Sequence, residues 1–317
     1  MPEPAPPEPA PGITPPPPAL ALAPEAIADH PIESHGQFRL ALERFAHHRL
    51  ALAGLIAFLL LVLLSTIGPV FWQYSYSTIT DQFATGPSLQ HPFGTDLIGH
   101  DLFAQVMEAE ATSVKTAALV ALIATTIGTV IGAIAGYYGK LADALLMRFT
   151  DLILAVPLLA VLLVLANKLS KQAGSWLWIA LILGLLLWTN LARQVRGAFL
   201  SLREREFVEA EHAIGASDRR IIFRHMIPNA IGPIVVSATL TVALALLIEA
   251  VLSFLGLGIE PPEVSLGSLV NSGQDAATSQ PWLFFFPSGF LVITILSINF
   301  IGDGLRDALD PTQRVHR

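Results

Sequence analysis

An arginine-rich polar loop and one glutamate inside an apolar run are the two places where this chain concentrates chemistry. In the loop, Glu209-Ala210-Glu211-His212-Ala213-Ile214-Gly215 is followed, after twelve intervening residues, by Pro228. Arg203 to Ile214 is rich in good helix formers, and the spacing is expected to put Phe207, Val208, Ala210, Ala213 and Ile214 on one side. Gly215 suits a turn conformation closed to other residues, and Ser217 or Asp218 is placed to cap a second helix. That helix is expected to reach about Ile227 and end near Pro228, because the residue before a proline avoids helical dihedrals. Two short helices joined at a glycine would suit a docking element. Charge alone fits equally well a plain cytoplasmic loop obeying the positive-inside rule.

The glutamate is Glu249, which follows 23 uncharged residues and precedes ten more. An ionised carboxylate at such depth costs roughly 2.5–3.5 kcal/mol on insertion scales. Three roles are open to it: a hydrogen-bonding residue that locks helices together, a pathway or gating residue, and a proton carrier. Asp151 is placed near a helix start, where the positive end of the dipole favours an anion.

Several chemistries find no residues to carry them. No phosphate-binding G-x-x-x-x-G-K-[ST] loop occurs, and Gly136-Tyr137-Tyr138-Gly139-Lys140 has neither its spacing nor its Ser/Thr. The chain is therefore expected to hold no nucleotide and no catalytic site of its own. With no cysteine there is no thiolate chemistry, and no H-E-x-x-H pattern suggests a metal. His47 and His48 are adjacent, so on a helix they do not face one site.

The elements that must position these residues are membrane spans. Hydrophobic residues make up 53% of the 317 and charged ones 14%, with a mean hydropathy of +0.60, which defines a polytopic all-α membrane protein. Six uncharged runs are long enough, leading to expected spans at about 50–71, 116–139, 145–167, 172–192, 228–256 and 282–302. The polar loop 193–227 joins the fourth and fifth. Fifteen of the eighteen Lys and Arg fall on one side when the N terminus is placed inside, so both termini and the loop are expected to be cytoplasmic. Residues 1–34, with twelve prolines, are expected to be a disordered tail. Residues 35–49, with Phe38, Leu42, Phe45 and Ala46 at helical spacing, are expected to form an interfacial helix, and 304–317 a cytoplasmic tail. Gly128, Gly132 and Gly136 recur every four residues, a pattern that lets helices approach closely.

The E-A-x-loop spacing resembles the EAA loop of permease subunits in binding-protein-dependent ABC importers. Further segments are similar to the oligopeptide/dipeptide branch of that family. They are Phe93-Gly94-Thr95-Asp96 with Gly99 and Asp101, then Arg203–Ala210 with Gly215-Ala216-Ser217. Ser253–Gly258 after Glu249-Ala250, and Gly302–Pro311, match as well. The likeness covers roughly residues 36–312. It implies a six-span importer permease, the second of a pair, for oligopeptides or dipeptides. Its coupling residues would be Glu209, Ala210, Gly215, Ala216, Ser217, Asp218 and Pro228, with Glu249 on the pathway or gate. It further implies a bacterial inner-membrane location, a second permease, two P-loop ATPase subunits that hold ATP and magnesium, and an extracytoplasmic binding protein; nucleic acid has no place in it. The chain departs from the pattern at Glu211, at His100 and at Ala111, while Glu108 and Glu110 make the expected external loop more acidic. The alternatives are a proton-coupled carrier using Glu249, a membrane scaffold, and an importer permease for another solute such as a metal chelate. The loop Gly256–Gln280, with Glu260, Glu263 and Asp275 but no Lys or Arg, is expected either to cap the pore and meet a delivering protein or to pack on its neighbours.

Overall fold

The computed structural model describes residues 37–162, 164 and 176–309. The proline-rich tail, the junction between the third and fourth expected spans and the last eight residues lie outside them. Helices in chain order are α1 (Gln37–His47), α2 (Arg49–Phe71), α3 (Leu102–Tyr138), α4 (Lys140–Ala155) and α5 (158–162). They continue with α6 (Trp176–Arg203), α7 (Glu206–Ala213), α8 (Asp218–Arg220), a π-helical turn (Ile221–Met226) and α9 (Ile227–Asn229). The last are α10 (Ile231–Phe254), α11 (Leu266–Gln274) and α12 (Trp282–Leu309). Among the described residues the only β pairing is two isolated bridges. Five helices (α2, α3, α6, α10 and α12) are long and apolar enough to cross a membrane.

Several expected boundaries move, that of the last span included, since α12 runs to Leu309 rather than 302 and takes in the start of the expected tail. The second span begins at Leu102 rather than Thr116, because Asp101 caps it by accepting the Ala104 N–H at 2.8 Å. The added turns carry Gln105, Glu110, Thr112 and Ser113, all buried, so their polarity faces protein instead of marking a loop. The acidic departure at Glu110 therefore lies inside the bundle, on a helix. The third span starts at Lys140 rather than 145 and breaks after Ala155: Val156 is extended, as a residue before proline should be, and Pro157 follows. Asp151 consequently sits late in α4, and Arg193 of α6 pairs with it at 2.5 Å. The fourth span runs on to Arg203, well into the expected loop.

The glycine pattern forms the main helix seam. A Cβ at Gly128 would meet the Trp188 carbonyl oxygen at 2.8 Å, one at Gly132 the Val195 Cβ at 2.8 Å, and one at Gly136 the Arg196 carbonyl oxygen at 2.8 Å. Backbone thus lies on backbone along α3 and α6. Lipid supplies no hydrophobic drive for such contact, so close dispersion packing holds it. The core beside it combines Ala117, Val120 and Ala124 with Leu183, Trp188, Ala243 and Leu246.

Residues 72–101 cross from α2 to α3 without a helix, and two aspartates organise them. Asp101 binds Trp72 Nε1 at 2.9 Å and His91 Nδ1 at 2.7 Å while capping α3, so it joins the end of one span to the start of the next. Asp96 accepts the N–H groups of Ile98, Gly99 and His100 on one oxygen and meets His100 Nδ1 at 2.8 Å on the other. His100, one of the departures from the family pattern, is thus bonded to Asp96. Phe93 stacks on Phe286 of α12 at 4.1 Å, fixing the segment to the bundle.

Candidate functional site

Beyond α6 the chain makes a hairpin of two short helical pieces. In α7, Val208 is buried against Phe199, Ile221, Ile222 and Met226, whereas Phe207, Ala210 and Ile214 point outward. The shared apolar side expected for all five residues therefore divides: neighbours 207 and 208 lie 100° apart on a helix and cannot face alike. The outward row at i, i+3 and i+7 ends in Ile214, 77% exposed, and Glu209 stands exposed beside it.

Gly215 closes the helix with φ +79°, and a Cβ there would meet nothing within 4 Å. Its N–H reaches the His212 carbonyl at 3.0 Å and the Ala216 N–H reaches that of Glu211 at 3.0 Å. This is the paired bond set of a Schellman cap, which needs a left-handed residue at that position. Ser217 occupies the N-cap of the next piece with an extended backbone, but its side chain makes no capping bond. Asp218 is engaged elsewhere: the Tyr137 hydroxyl donates to its Oδ1 at 2.8 Å.

Pro228 does not end the second helix. Ile227 before it is helical, with φ −58° and ψ −48°, and its N–H bonds five residues back to Ile222. A proline ring clashes with the carbonyl four residues earlier in an α-helix. The wider π turn at Ile221–Met226 relieves that clash, and the chain continues to Asn229 before turning at Ala230.

Two side-chain clasps fasten the hairpin, and neither was singled out in the sequence. Tyr137, at the end of the glycine seam, bonds Asp218 and lies 3.2 Å from His212 Nε2, while Arg203 Nη1 donates to the Tyr137 carbonyl at 3.3 Å. His225 Nε2 lies 3.2 Å from Glu211 Oε1, so Glu211, one of the departures from the family pattern, brings α7 to the π turn and forms an ion pair across it when the imidazole is protonated. Of the seven expected loop residues, Glu209, Ala210, Gly215 and Ser217 form the outer tip, Asp218 holds the hairpin, Ala216 packs beneath it and Pro228 sits exposed on the returning helix.

At the far end of α10, Glu249 is completely buried. Ser113 Oγ of α3 donates to Oε2 at 3.1 Å and Ser253 Oγ donates to Oε1 at 2.7 Å. Ser253 in turn accepts from Ser265 Oγ and from the Ile259 N–H, both at 3.2 Å, and Ser113 accepts from the Leu266 N–H at 3.2 Å. The N-terminus of α11 thus sits over the carboxylate through two serines, an arrangement that the positive end of a helix dipole favours. Gly267 allows it: a Cβ there would meet Ala250 Cα at 2.7 Å. One turn away on α3, Glu110 accepts from Thr294 Oγ1 of α12 at 2.8 Å. Among the described residues no group of three His, Cys, Asp or Glu side chains is placed to hold a metal.

A bundle of apolar helices thus carries a projecting hairpin at one end and a buried polar lock at the other. Residues 128–315 match the family described as binding-protein-dependent transport system inner membrane component, and residues 36–92 match the N-terminal TM domain of oligopeptide transport permease C. The chain belongs to this family of importer permeases. Among its relatives, the oligopeptide transport system permease protein OppC of Bacillus subtilis is 40% identical over 86% of this chain and 89% of that protein. OppC of Mycobacterium tuberculosis is 41% identical over 87% and 94%, and a putative peptide permease protein of Brucella suis is 43% identical over 88% and 92%. The inward facing MetNI methionine ABC transporter covers 66% of this chain and 98% of its own, with TM-score 0.52 and 19% identity, a likeness of fold. The chain is accordingly an integral membrane permease subunit of an ABC importer. The proton-coupled carrier and scaffold readings fall with that assignment.

Proposed function

We propose that this subunit passes oligopeptides across a bacterial cytoplasmic membrane, forming the pathway with a second, similar permease. ATP and magnesium are held by two P-loop ATPase subunits that dock on the hairpin 203–228, and an extracytoplasmic protein delivers the cargo. Relatives named for oligopeptide transport support the cargo, and the side holding fifteen of the eighteen cationic residues supports cytoplasmic termini. The observation that carries the docking assignment is the tip itself. Phe207, Ala210 and Ile214 stand exposed beyond the end of α6, on a helix closed by a left-handed glycine. Apolar side chains in that position bury only when a partner covers them.

Glu249 serves in this reading as the lock that seats α11 over the extracytoplasmic end, a gate component and not a proton carrier. Copurification in mild detergent tests the assembly: a second permease and two P-loop ATPases should accompany the chain. A stable monomer that binds no P-loop protein rules the reading out.

A further inference from the structure

The C-terminal segment from Gly302 onward takes no part in the hairpin or the lock, yet it builds a cleft. Gly304 brings α12 against the α1–α2 junction, where a Cβ would meet the Phe45 ring at 3.2 Å, and Gly302 lets α12 approach Leu240 of α10. Beside this contact Asp303, Arg306 and Asp307 line a cleft of about 380 Å³ with His48, Leu50 and Phe300. That volume falls in the ~300–1,000 Å³ range of small-molecule sites. His48 Nδ1 accepts the Ala51 N–H at 3.1 Å, which leaves Nε2 as the proton-bearing nitrogen, 3.4 Å from Asp307 Oδ2. Among the described residues Asp303 and Arg306 form no side-chain hydrogen bond or ion pair.

Location supplies the ligand class. The uncharged run of α2 starts at Leu50 and that of α12 ends at Gly302, so the cleft lies where both helices pass from apolar to charged. This is the level of lipid headgroups. A molecule that satisfies the site carries an anion for Arg306, a hydrogen-bonding cation for Asp303 and Asp307, and an apolar tail for Leu50 and Phe300. We propose that the cleft binds the phosphoethanolamine headgroup of a bilayer phospholipid. Choline lipids lack the N–H donors that two carboxylates require, and glycerol headgroups lack the cation. The inference needs only the membrane-spanning character of α2 and α12, so it stands apart from the cargo and the docking partners.

The test is native mass spectrometry of the full chain in mild detergent, offered ethanolamine, choline and glycerol phospholipids of identical acyl chains. Retention of the ethanolamine lipid should exceed that of the choline lipid by about tenfold or more, the worth of one charge-assisted hydrogen bond. Asp303→Asn with Asp307→Asn should abolish that preference, and Arg306→Gln should weaken all three lipids; both changes lie on the exposed side of α12, so the thermal midpoint should stay near wild type. Equal retention of ethanolamine and choline lipids by the wild type overturns the proposal, as does an unchanged preference in the double variant. Displacement of the lipid by soluble glycerophosphoethanolamine at equal concentration would assign the cleft to a free solute and overturn the lipid assignment.

Discussion

The two ends of this bundle handle polar groups in opposite ways. Around Glu249 every hydroxyl is buried and each serine both gives and receives a bond, so the carboxylate, α3, α10 and α11 share one geometry. At the hairpin the polar contacts are few and partly exposed: Glu211 with His225, and Tyr137 with Asp218 and His212. Leaving one buried hydrogen-bonding group unsatisfied costs about 1–3 kcal/mol, whereas an exposed ion pair contributes about 0–1 kcal/mol. One end is therefore set firmly. The other is shaped mainly by apolar packing around Val208, with Phe207, Ala210 and Ile214 left exposed at its tip.

The sharpest way to break this contrast is Glu249→Ala. It orphans two serine hydroxyls and leaves a cavity, so we expect a loss of about 3–5 kcal/mol, read as a lowered unfolding midpoint in detergent. Glu249→Gln retains the shape and one acceptor, and should cost less than half as much while uptake stays dependent on ATP. Equal losses for the two variants would mean that the charge, not the bonding, holds the lock. Collapse of wild-type uptake under an uncoupler at constant ATP would instead give the residue a proton-carrying role.

Gly132→Val comes next. Its side chain would be driven into Val195 and the backbone at Arg196, where a Cβ already has 3.0 Å to the amide nitrogen. Overpacking of this kind costs about 1–3 kcal/mol. Thermal unfolding of the purified chain measures it, and a wild-type midpoint would show that α3 and α6 separate without penalty.

Both of these sites were legible in the sequence, one as a charge in an apolar run and the other as glycines at a four-residue period. The limits of α3 were not, because Gln105, Thr112 and Ser113 read as loop until their buried partners are known. Pro157 announced its break, but a run scored only for charge hides it. In the hairpin, Gly215 declared its turn, since few other residues adopt φ +79°. The Tyr137 clasp was invisible for a different reason: its partners lie 75 and 81 residues away, and no local period links them. The π turn escaped because it is a response to Pro228 and not a preference of the residues that form it.

A smaller change tests that clasp. Tyr137→Phe removes one hydroxyl from Asp218 and His212 and leaves the ring in place. A neutral-to-charged bond of this sort contributes about 1–2 kcal/mol, reduced here because Asp218 is largely solvated. We expect a midpoint within a few degrees of wild type, together with faster proteolysis between Arg205 and Arg220. Unchanged proteolysis would show that the hairpin is shaped by Val208 and the glycine cap alone.

The least effect on stability, and the most informative on mechanism, is expected from Glu209→Lys. The side chain is exposed, makes no side-chain bond among the described residues, and stands in the first turn of α7, where an anion meets the positive end of a short dipole. Reversing its charge should shift the unfolding midpoint little. The same reversal is made on the surface that we assign to ATPase docking, so it should suppress substrate-stimulated ATP hydrolysis in the assembled complex. Gly215→Pro provides the companion measurement, because proline fixes φ near −65° and cannot take the left-handed turn. It should remove stimulation by misplacing Ile214 and the returning helix, with α2, α3 and α6 still inserted. If the two variants couple as well as wild type, the hairpin is a tether between spans and the docking surface lies elsewhere. If Gly215→Pro uncouples and Glu209→Lys does not, geometry rather than charge makes the joint. That outcome would restrict the docking surface to the apolar row of Phe207, Ala210 and Ile214.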